Sequence, residues 1–193
     1  AGIDSHKAGG LMVRKARANY SVLHIVLHWL VVLLIVGTFC LGLWMVELDY
    51  YDAWYKKGPD LHRSIGVMIL CLMCARLVSR FVSGVPAALL THAPWERRLA
   101  SIMHIGLYLL VLATGIAGYL ISTADGRGVL VFDWFEIPAT ITGIARQEDV
   151  AGDVHLVLAV TLIVMAAIHG GAALKHHFVD RDPTLRRMLG KAP

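Results

Sequence analysis

The sequence predicts an all-α integral membrane protein built as a bundle of four transmembrane helices. Of its 193 residues, 57% are hydrophobic and only 17% are charged, against about a quarter charged in a typical soluble domain. The apolar residues also fall into four long blocks separated by polar stretches. That pattern indicates a chain that crosses a bilayer.

The four blocks run from about Ser21 to Val46, Leu61 to Val82, Leu99 to Ser122 and Asp153 to Leu174. Each has ~20 or more residues, enough to cross ~30 Å of hydrocarbon at ~1.5 Å per residue. A helix satisfies its own backbone hydrogen bonds there, so four spanning helices are expected.

The charges predict the orientation. One side of the predicted bundle carries 13 Lys and Arg residues and the other carries five, together with ten acidic residues. The positive-inside rule therefore places both termini in the cytoplasm. Aromatic residues cluster where the first helix exits, as an interfacial belt does: Trp44, Tyr50, Tyr51, Trp54 and Tyr55.

Three regions are expected: an N-terminal cytoplasmic tail (1–19), the four-helix domain (20–178) and a basic C-terminal tail (179–193). No cleavable signal is expected, because the first apolar block is too long for one. The outer connection between the third and fourth helices contains an apolar stretch from Val129 to Ile144. It is too short and broken to span, so it should lie on the outer membrane surface or cap the bundle.

The cysteines carry no functional signal. Cys40, Cys71 and Cys74 all lie inside apolar blocks. The CxxC formed by Cys71 and Cys74 lacks the surrounding βαβ pattern of a redox motif and the following His of a c-type haem site. The three are interpreted as small apolar residues of membrane helices.

Histidines carry the strongest functional signal. Six of the ten lie in or at the ends of the predicted spans: His24, His28, His62, His104, His155 and His169. A single intramembrane histidine is often a helix–helix hydrogen bond, but polar groups at this depth are costly and usually functional or paired. Six in four helices favour a functional role.

The fourth helix presents two of these histidines on one face. His155 and His169 are 14 residues apart, a rotation about 40° short of four full turns and a rise of ~21 Å. Matching the remaining histidines by depth pairs His28 with His169 on the inner side and His62 with His155 on the outer side. Each pair could supply both axial ligands of one haem iron.

Alternatives remain within this set. His24, one turn before His28, could replace it as a ligand but lies nearer the surface. His104 lacks an obvious partner once His169 is used, so a quinone or hydrogen-bonding role is expected for it. A structural zinc site needs four ligands close together, which two distant pairs do not supply.

Three arginines are candidates for binding haem propionates. Arg76 and Arg80 lie one turn apart at the inner end of the second helix, and Arg63 adjoins His62 on the outer side. A guanidinium group binds carboxylates well. Anchoring of the inner pair at the cytoplasmic interface is an equally good interpretation.

The chain resembles the bacterial cytochrome b-561 family, the four-helix diheme branch related to hydrogenase cytochrome b subunits. The resemblance covers about residues 20–190. Its carrying segments are "YSVLHIVLHWL", "LHRSIGVMIL", "RLVSR", "HIGLYLLVLATGIAGYLIS" and "VHLVLAVTLIVMAAIHGGAALKHHFVDRDPTLRRML". The resemblance implies iron ligation by His28, His62, His155 and His169, two haem b groups, and exchange of electrons with ubiquinone. It also implies a place for His176 near the quinone pocket.

The predicted function is therefore diheme electron transfer across the membrane, between the ubiquinone pool and a donor or acceptor at the outer surface. Two alternatives accompany it: a superoxide oxidase that passes electrons to ubiquinone, and a haem-bearing anchor subunit of a larger respiratory complex. Whether the chain is an enzyme is left open. The expected partners are membrane lipid, ubiquinone and a peripheral redox protein, with no nucleic acid. A haem-free transporter that relays protons is disfavoured, because the interiors of the predicted spans of this chain contain no Asp or Glu and the chain shows no inverted repeats.

Overall fold

The computed structural model describes residues 20–84, 86 and 92–191. It contains four long helices: α1 (Val22–Met45), α2 (Lys57–Ser83), α3 (Pro94–Ser122) and α4 (Gln147–Phe178). Their lengths of 24 to 32 residues and mean hydropathies of 2.0 to 2.5 suit membrane spans. The predicted all-α membrane bundle of four helices is confirmed. The predicted N-terminal tail (1–19) lies outside the described residues.

Three of the four long helices, α2, α3 and α4, are longer than the apolar blocks that predicted them. α2 begins four residues before Leu61, and α4 extends beyond the predicted block at both ends. Hydropathy detects only the part of a helix that lies in hydrocarbon. Backbone hydrogen bonding continues into the interfacial region, where polar residues are tolerated.

Local sequence signals explain several helix ends. Ser21 caps α1, its hydroxyl oxygen accepting a hydrogen bond from the His24 backbone N–H at 3.3 Å. Pro94 is the first residue of α3, where a missing N–H costs nothing. The Glu96 side chain accepts from the Ala93 backbone N–H at 2.9 Å. Gly84 ends α2 with a φ of 69°, a conformation that favours glycine.

The bundle is formed from two helix pairs. α1 packs on α2 and α3 packs on α4, with α2 also contacting α3. Their shared apolar core contains Val31, Ile69, Met73, Val111 and Leu162. Leu162 lies midway along α4 between His155 and His169, so this core occupies the middle depth of the bundle. Large apolar side chains such as Leu33 and Phe81 are exposed on the outer surface, as lipid-facing residues are.

The connection between α3 and α4 contains a β-hairpin. Strands β1 (Val129–Val131) and β2 (Phe135–Ile137) pair antiparallel. Val129 and Val131 are buried while Leu130 is exposed, so one face of β1 packs inward against α2. We call this the hairpin end of the bundle. The sequence predicted that this segment would lie on the membrane surface or cap the bundle. In the structure β1 packs against α2 at the end of the bundle.

Polar contacts attach the hairpin to the helices. The Phe132 backbone N–H donates to the Ser64 hydroxyl at 3.0 Å, and that hydroxyl donates to the Asp60 carbonyl at 2.8 Å. The Gln147 side-chain amide donates to the carbonyls of Leu120 and Ile141. The hairpin is thus held by α2, and the chain that follows it is held by the start of α4.

The opposite end, where α1 begins and α4 ends, is called the tail end. There a short helix, α5 (Thr184–Met188), packs against α4. The Trp29 indole N–H donates to the Met188 carbonyl at 2.8 Å and so ties the C-terminal tail to α1. Cys40, Cys71 and Cys74 are free thiols on exposed surfaces.

Replacing Ser64 should loosen the hairpin. Ser64→Ala leaves the Phe132 N–H without its acceptor, which costs about 1 kcal/mol and should speed hydrogen exchange of that amide roughly fivefold. Exchange measured by mass spectrometry in detergent micelles tests this. Ser101→Ala is the control, because the Ser101 hydroxyl donates only to Arg97 of its own helix. Unchanged exchange across residues 129–137 in Ser64→Ala would contradict this role.

Candidate functional site

The histidines predicted for the outer side face each other at the hairpin end. His62, near the start of α2, and His155, on α4, have ring centroids 6.0 Å apart and planes inclined by 67°. The Nδ1–H of His155 donates to the backbone carbonyl of Thr114 at 2.9 Å. A carbonyl only accepts, so this bond fixes the tautomer and leaves Nε2 with a free lone pair.

A glycine one helical turn after a threonine makes room for each of these rings. A Cβ atom at Gly118 would lie 3.2 Å from Cε1 of His155, and one at Gly42 would lie 3.0 Å from Cε1 of His62. In α3, Gly118 follows Thr114 by four residues, so the bare glycine lets His155 reach the Thr114 carbonyl. α1 repeats this spacing with Thr38 and Gly42, and the Thr38 backbone faces His62. We call this arrangement the Thr–Gly seat.

A cavity of about 630 Å³ lies beside this pair, within the range of about 300–1,000 Å³ typical of ligand pockets. Its lining comes from all four long helices and includes His62, Gly66, Thr114 and His155. Apolar side chains dominate the rest of the wall. Such a lining suits a flat apolar group that the two imidazoles hold.

Charged groups also line this cavity. Arg63 forms an ion pair with Asp60, and Arg127 forms one with Asp125. The hydrogen bond from Arg127 lowers the pKa of Asp125 below its usual range, so this carboxylate is ionised at neutral pH. Both arginines in the cavity lining are therefore paired with a carboxylate on the same chain.

At the tail end, His169 lies between two other histidines. Its ring centroid is 6.5 Å from that of His28 and 5.2 Å from that of His104. The sequence left His104 without an obvious partner because His169 was already paired with His28. In the structure the His169 ring contacts both histidines.

His24, the alternative ligand on α1, has a different environment. It is buried, and its ring stacks on Tyr20 with centroids 5.1 Å apart and planes 12° apart. Among the described residues, the ring contacts recorded for His169 are with His28 and His104. The geometry therefore favours His28 over His24 as the α1 partner of His169.

Arg76 is the main cationic group at the tail-end histidines. Its guanidinium lies over the Tyr108 ring, 5.9 Å from the centroid, and its Nε has no hydrogen-bond partner among the described residues. It lies within electrostatic range of His28, His104 and His169. A half-buried guanidinium without a carboxylate partner among the described residues fits a site for a ligand's anionic group. Arg80, one turn further along α2, is also partly buried.

Both predicted histidine pairs fit axial ligation of one metal ion. Metal–nitrogen bonds of about 2.0 Å from opposite sides of an ion place two imidazole centroids roughly 6 Å apart. The observed separations are 6.0 Å and 6.5 Å. Among the described residues, Nδ1 of His28 has no hydrogen-bond partner, and Nδ1 of His62 faces the Thr38 backbone without a hydrogen bond of normal geometry. The donor atoms, the Thr–Gly seats and the cavity fit a bis-histidine haem.

His176, the second quinone candidate, lies at the end of α4. Its Nδ1–H donates to Asp180 at 2.7 Å, and its ring centroid is 4.6 Å from that of His92. The hydrogen bond from Lys175 lowers the pKa of Asp180. Burial raises the pKa of Asp182, but hydrogen bonds from His92 and Thr184 outweigh burial and lower it. Both carboxylates are therefore ionised beside His176 at neutral pH.

Several of these contributors were not among the residues predicted from the sequence. Gly42, Thr38 and Thr114 were missed, although the repeated threonine–glycine interval in α1 and α3 is a signal that could have found them. His92 was missed because it lies outside the apolar blocks, in the connection before α3. Its contact with the end of α4 depends on how the helices assemble.

Comparison with known proteins agrees with this architecture. The family model for prokaryotic cytochrome b561 matches residues 19–191. The chain is 48% identical over 174 residues to cytochrome b561 homolog 2 of Escherichia coli K12, covering 90% of this chain and 93% of the relative. It is 32% identical over 178 residues to a probable superoxide oxidase, CybB, of Yersinia pestis, covering 90% and 97%. It is 30% identical over 177 residues to cytochrome b562 of Cereibacter sphaeroides, covering 89% and 95%.

The match extends over nearly all the described chain and includes the four helices that carry the histidine pairs. The four apolar helices and the intramembrane histidines agree with a multi-pass bacterial membrane protein that binds haem b and takes part in electron transport. The chain belongs to the prokaryotic cytochrome b561 family.

Proposed function

We propose that the chain holds two b-type haems, one between His62 and His155 and one between His28 and His169. The observation that carries this proposal is the pair of imidazole separations, 6.0 Å and 6.5 Å, at opposite ends of the bundle. Each bound haem supplies a one-electron redox centre. The four histidines hold the two irons at a fixed separation along α4.

Ligation by two histidines leaves no open position for substrate at either iron. Electrons therefore enter and leave by outer-sphere transfer. The apolar core at Val31, Val111 and Leu162 separates the two pairs and excludes water between them. His155 and His169 lie ~21 Å apart along α4, so the protein provides an electron path across most of the hydrocarbon layer.

The arginines bind the propionates in this proposal. Arg76, with its unpartnered Nε, and Arg80 interact with the haem at the tail end. Arg63 interacts with the haem at the hairpin end, where its ion pair with Asp60 also neutralises it. The tail-end haem thus lies in a more cationic environment.

Ubiquinone exchanges electrons and protons at the tail end. His104 contacts His169, which places an imidazole beside the proposed redox centre. His176 lies at the membrane boundary with its Nδ1 on Asp180, so it can pass a proton between the cytoplasm and a bound quinone. The protein's role at this site is to bind the quinone ring and to supply the protons.

The proposed setting is the bacterial inner membrane, with both termini in the cytoplasm. The sequence carries 13 Lys and Arg residues on the predicted cytoplasmic side against five on the other, which supports this orientation. The partners are membrane lipid, ubiquinone and a redox donor or acceptor at the outer surface. A peripheral redox protein and a small molecule both fit that last position.

A second candidate function is oxidation of superoxide at the hairpin end. Similarity to a protein named as a probable superoxide oxidase supports it, as do Arg63 and Arg127 in the lining of the outer cavity. The ten acidic residues on that side oppose attraction of an anion over long range. At short range, Arg127 in the cavity lining could still attract superoxide.

Removing one ligand of a pair should remove one haem. We expect His62→Ala and His28→Ala each to reduce the haem content from two to about one per chain, because an iron loses half of its axial ligation. Haem extraction with protein quantification measures this ratio. His24→Ala and His177→Ala are matched controls and should retain both haems. Loss of haem in His24→Ala with retention in His28→Ala would overturn the assignment on α1.

Replacing Arg76 should lower the potential of one haem only. Arg76→Gln removes a positive charge that stabilises the reduced haem. At an effective dielectric constant of about 20, two unit charges about 8 Å apart interact with an energy of order 2 kcal/mol. A redox titration followed by optical spectroscopy should show one midpoint potential lowered by several tens of millivolts. Arg127→Gln, at the other end of the bundle, should leave that haem unaffected. Equal shifts of both haems in Arg76→Gln would argue against its placement.

Electron delivery from each side separates the two candidate functions. Ubiquinol should reduce the haems of the purified protein in either case. If superoxide is the outer donor, a superoxide-generating system should also reduce them, and Arg127→Gln should slow this several-fold and weaken its salt dependence. Stopped-flow spectroscopy measures both rates. Reduction by ubiquinol alone would limit the function to quinone-linked transfer with another outer partner, and reduction by neither would refute the proposed function.

A further inference from the structure

Three segments meet at the tail end in a cluster separate from both haem sites. His92 lies just before α3, His176 lies in the last turn of α4, and Asp182 follows α4. One ligand atom of each lies within 4.8 Å of the others. The Asp182 Oδ2 is 2.6 Å from Nε2 of His92 and 3.5 Å from Nδ1 of His176. One carboxylate oxygen therefore faces two imidazole nitrogens.

The cluster is partly enclosed and held in place. The Asp182 side chain is 5% exposed, and those of His92 and His176 are 18% and 17% exposed. The Thr184 backbone N–H donates to Oδ1 of Asp182 at 2.8 Å, and the Asp182 N–H donates to the His176 carbonyl at 3.0 Å. These bonds turn Oδ2 toward the histidines, as outer contacts do around metal ligands.

The local charge favours a cation. The surrounding cavity is lined by three acidic side chains, those of Glu96, Asp180 and Asp182, and by two basic ones, those of Lys175 and Arg181. Asp180 lies 2.7 Å from Nδ1 of His176 and is a further oxygen donor within reach. Lys175 is held by Asp180 and Glu96, so its charge is already balanced.

The donor types select the ion. Two imidazole nitrogens with a carboxylate oxygen suit Zn²⁺. Bonds of about 2.0–2.2 Å place tetrahedral ligand atoms roughly 3.3 Å apart, so zinc binding would move Oδ2 of Asp182 away from Nε2 of His92, which is 2.6 Å from it here. Ca²⁺ and Mg²⁺ prefer sites built from oxygen atoms alone. A four-coordinate zinc ion with three protein ligands keeps one position for water or another carboxylate.

We propose that this cluster is a zinc site, with His92 Nε2, His176 Nδ1 and Asp182 Oδ2 as ligands and Asp180 beside the fourth position. When zinc binds, the proton on each ligating nitrogen leaves to solvent, and a neutral imidazole takes up a proton at its other ring nitrogen. The ion links the connection before α3, the end of α4 and the C-terminal tail. It also occupies the His176 atom proposed above for proton exchange, so zinc and that proton role exclude each other.

The test uses the full chain with its haems bound, in detergent micelles, without an affinity tag of histidines and after treatment with a chelator. Zn²⁺ is titrated in competition with a chromophoric chelator, and bound zinc is counted by elemental analysis after dialysis. We expect one Zn²⁺ per chain with a micromolar or tighter Kd. His92→Ala and Asp182→Asn should each weaken binding at least tenfold. His177→Ala is the control, because its ring lies against Phe178 outside the cluster.

Haem content shows whether each variant has folded, since none of these residues belongs to a haem pair. X-ray absorption at the zinc edge gives a second measurement on the unaltered chain. It should show nitrogen and oxygen neighbours at about 2.0–2.1 Å with imidazole scattering. A wild-type chain that binds no more zinc than His92→Ala, or a zinc spectrum without imidazole, would overturn the proposal.

Discussion

An imidazole at membrane depth has no water to bind, and this constraint organises the bundle. Each such ring must find a carbonyl, another side chain or a bound group, or leave a polar atom unsatisfied at a cost of a few kcal/mol. α4 places two rings on one face, with Leu162 of the core midway between them. The other three helices supply the partners, so their depth relative to α4 follows from where its two histidines lie.

The Thr–Gly seats show how a helix accepts a ring from its neighbour without losing its own hydrogen bonds. A backbone carbonyl has two lone pairs, and within a helix only one is used. In α3, the glycine at position 118 exposes the second lone pair of Thr114 to His155. The Thr114 hydroxyl meanwhile donates to Leu110 at 2.7 Å. A larger residue at position 118 would push His155 away and leave its Nδ1 unpartnered in hydrocarbon.

The sequence predicted the parts of this structure that depend on local pattern. The four helices follow from apolar length, and the spacing of His155 and His169 follows from helical geometry. Three features depend on assembly instead. The turn of the hairpin at Phe132 and Asp133 has positive φ without glycine, so no turn signal marks it. The contact of His104 with His169 was missed because depth matching gave each histidine a single partner. The cluster at His92 joins residues 90 positions apart, which no local spacing reveals.

The two ends of the bundle differ in how their charges are balanced, and this difference bears on the direction of electron flow. At the hairpin end each cavity-lining arginine has an aspartate partner on the same chain. At the tail end Arg76 is half-buried over Tyr108, with its Nε unpartnered among the described residues. An uncompensated positive charge stabilises the reduced state of a nearby redox centre. With haems bound as proposed, Arg76 would place more positive charge beside the tail-end centre than the paired arginines place beside the hairpin-end centre. Such a difference would favour electron transfer from the hairpin end to the tail end, where the proposed quinone site includes His104.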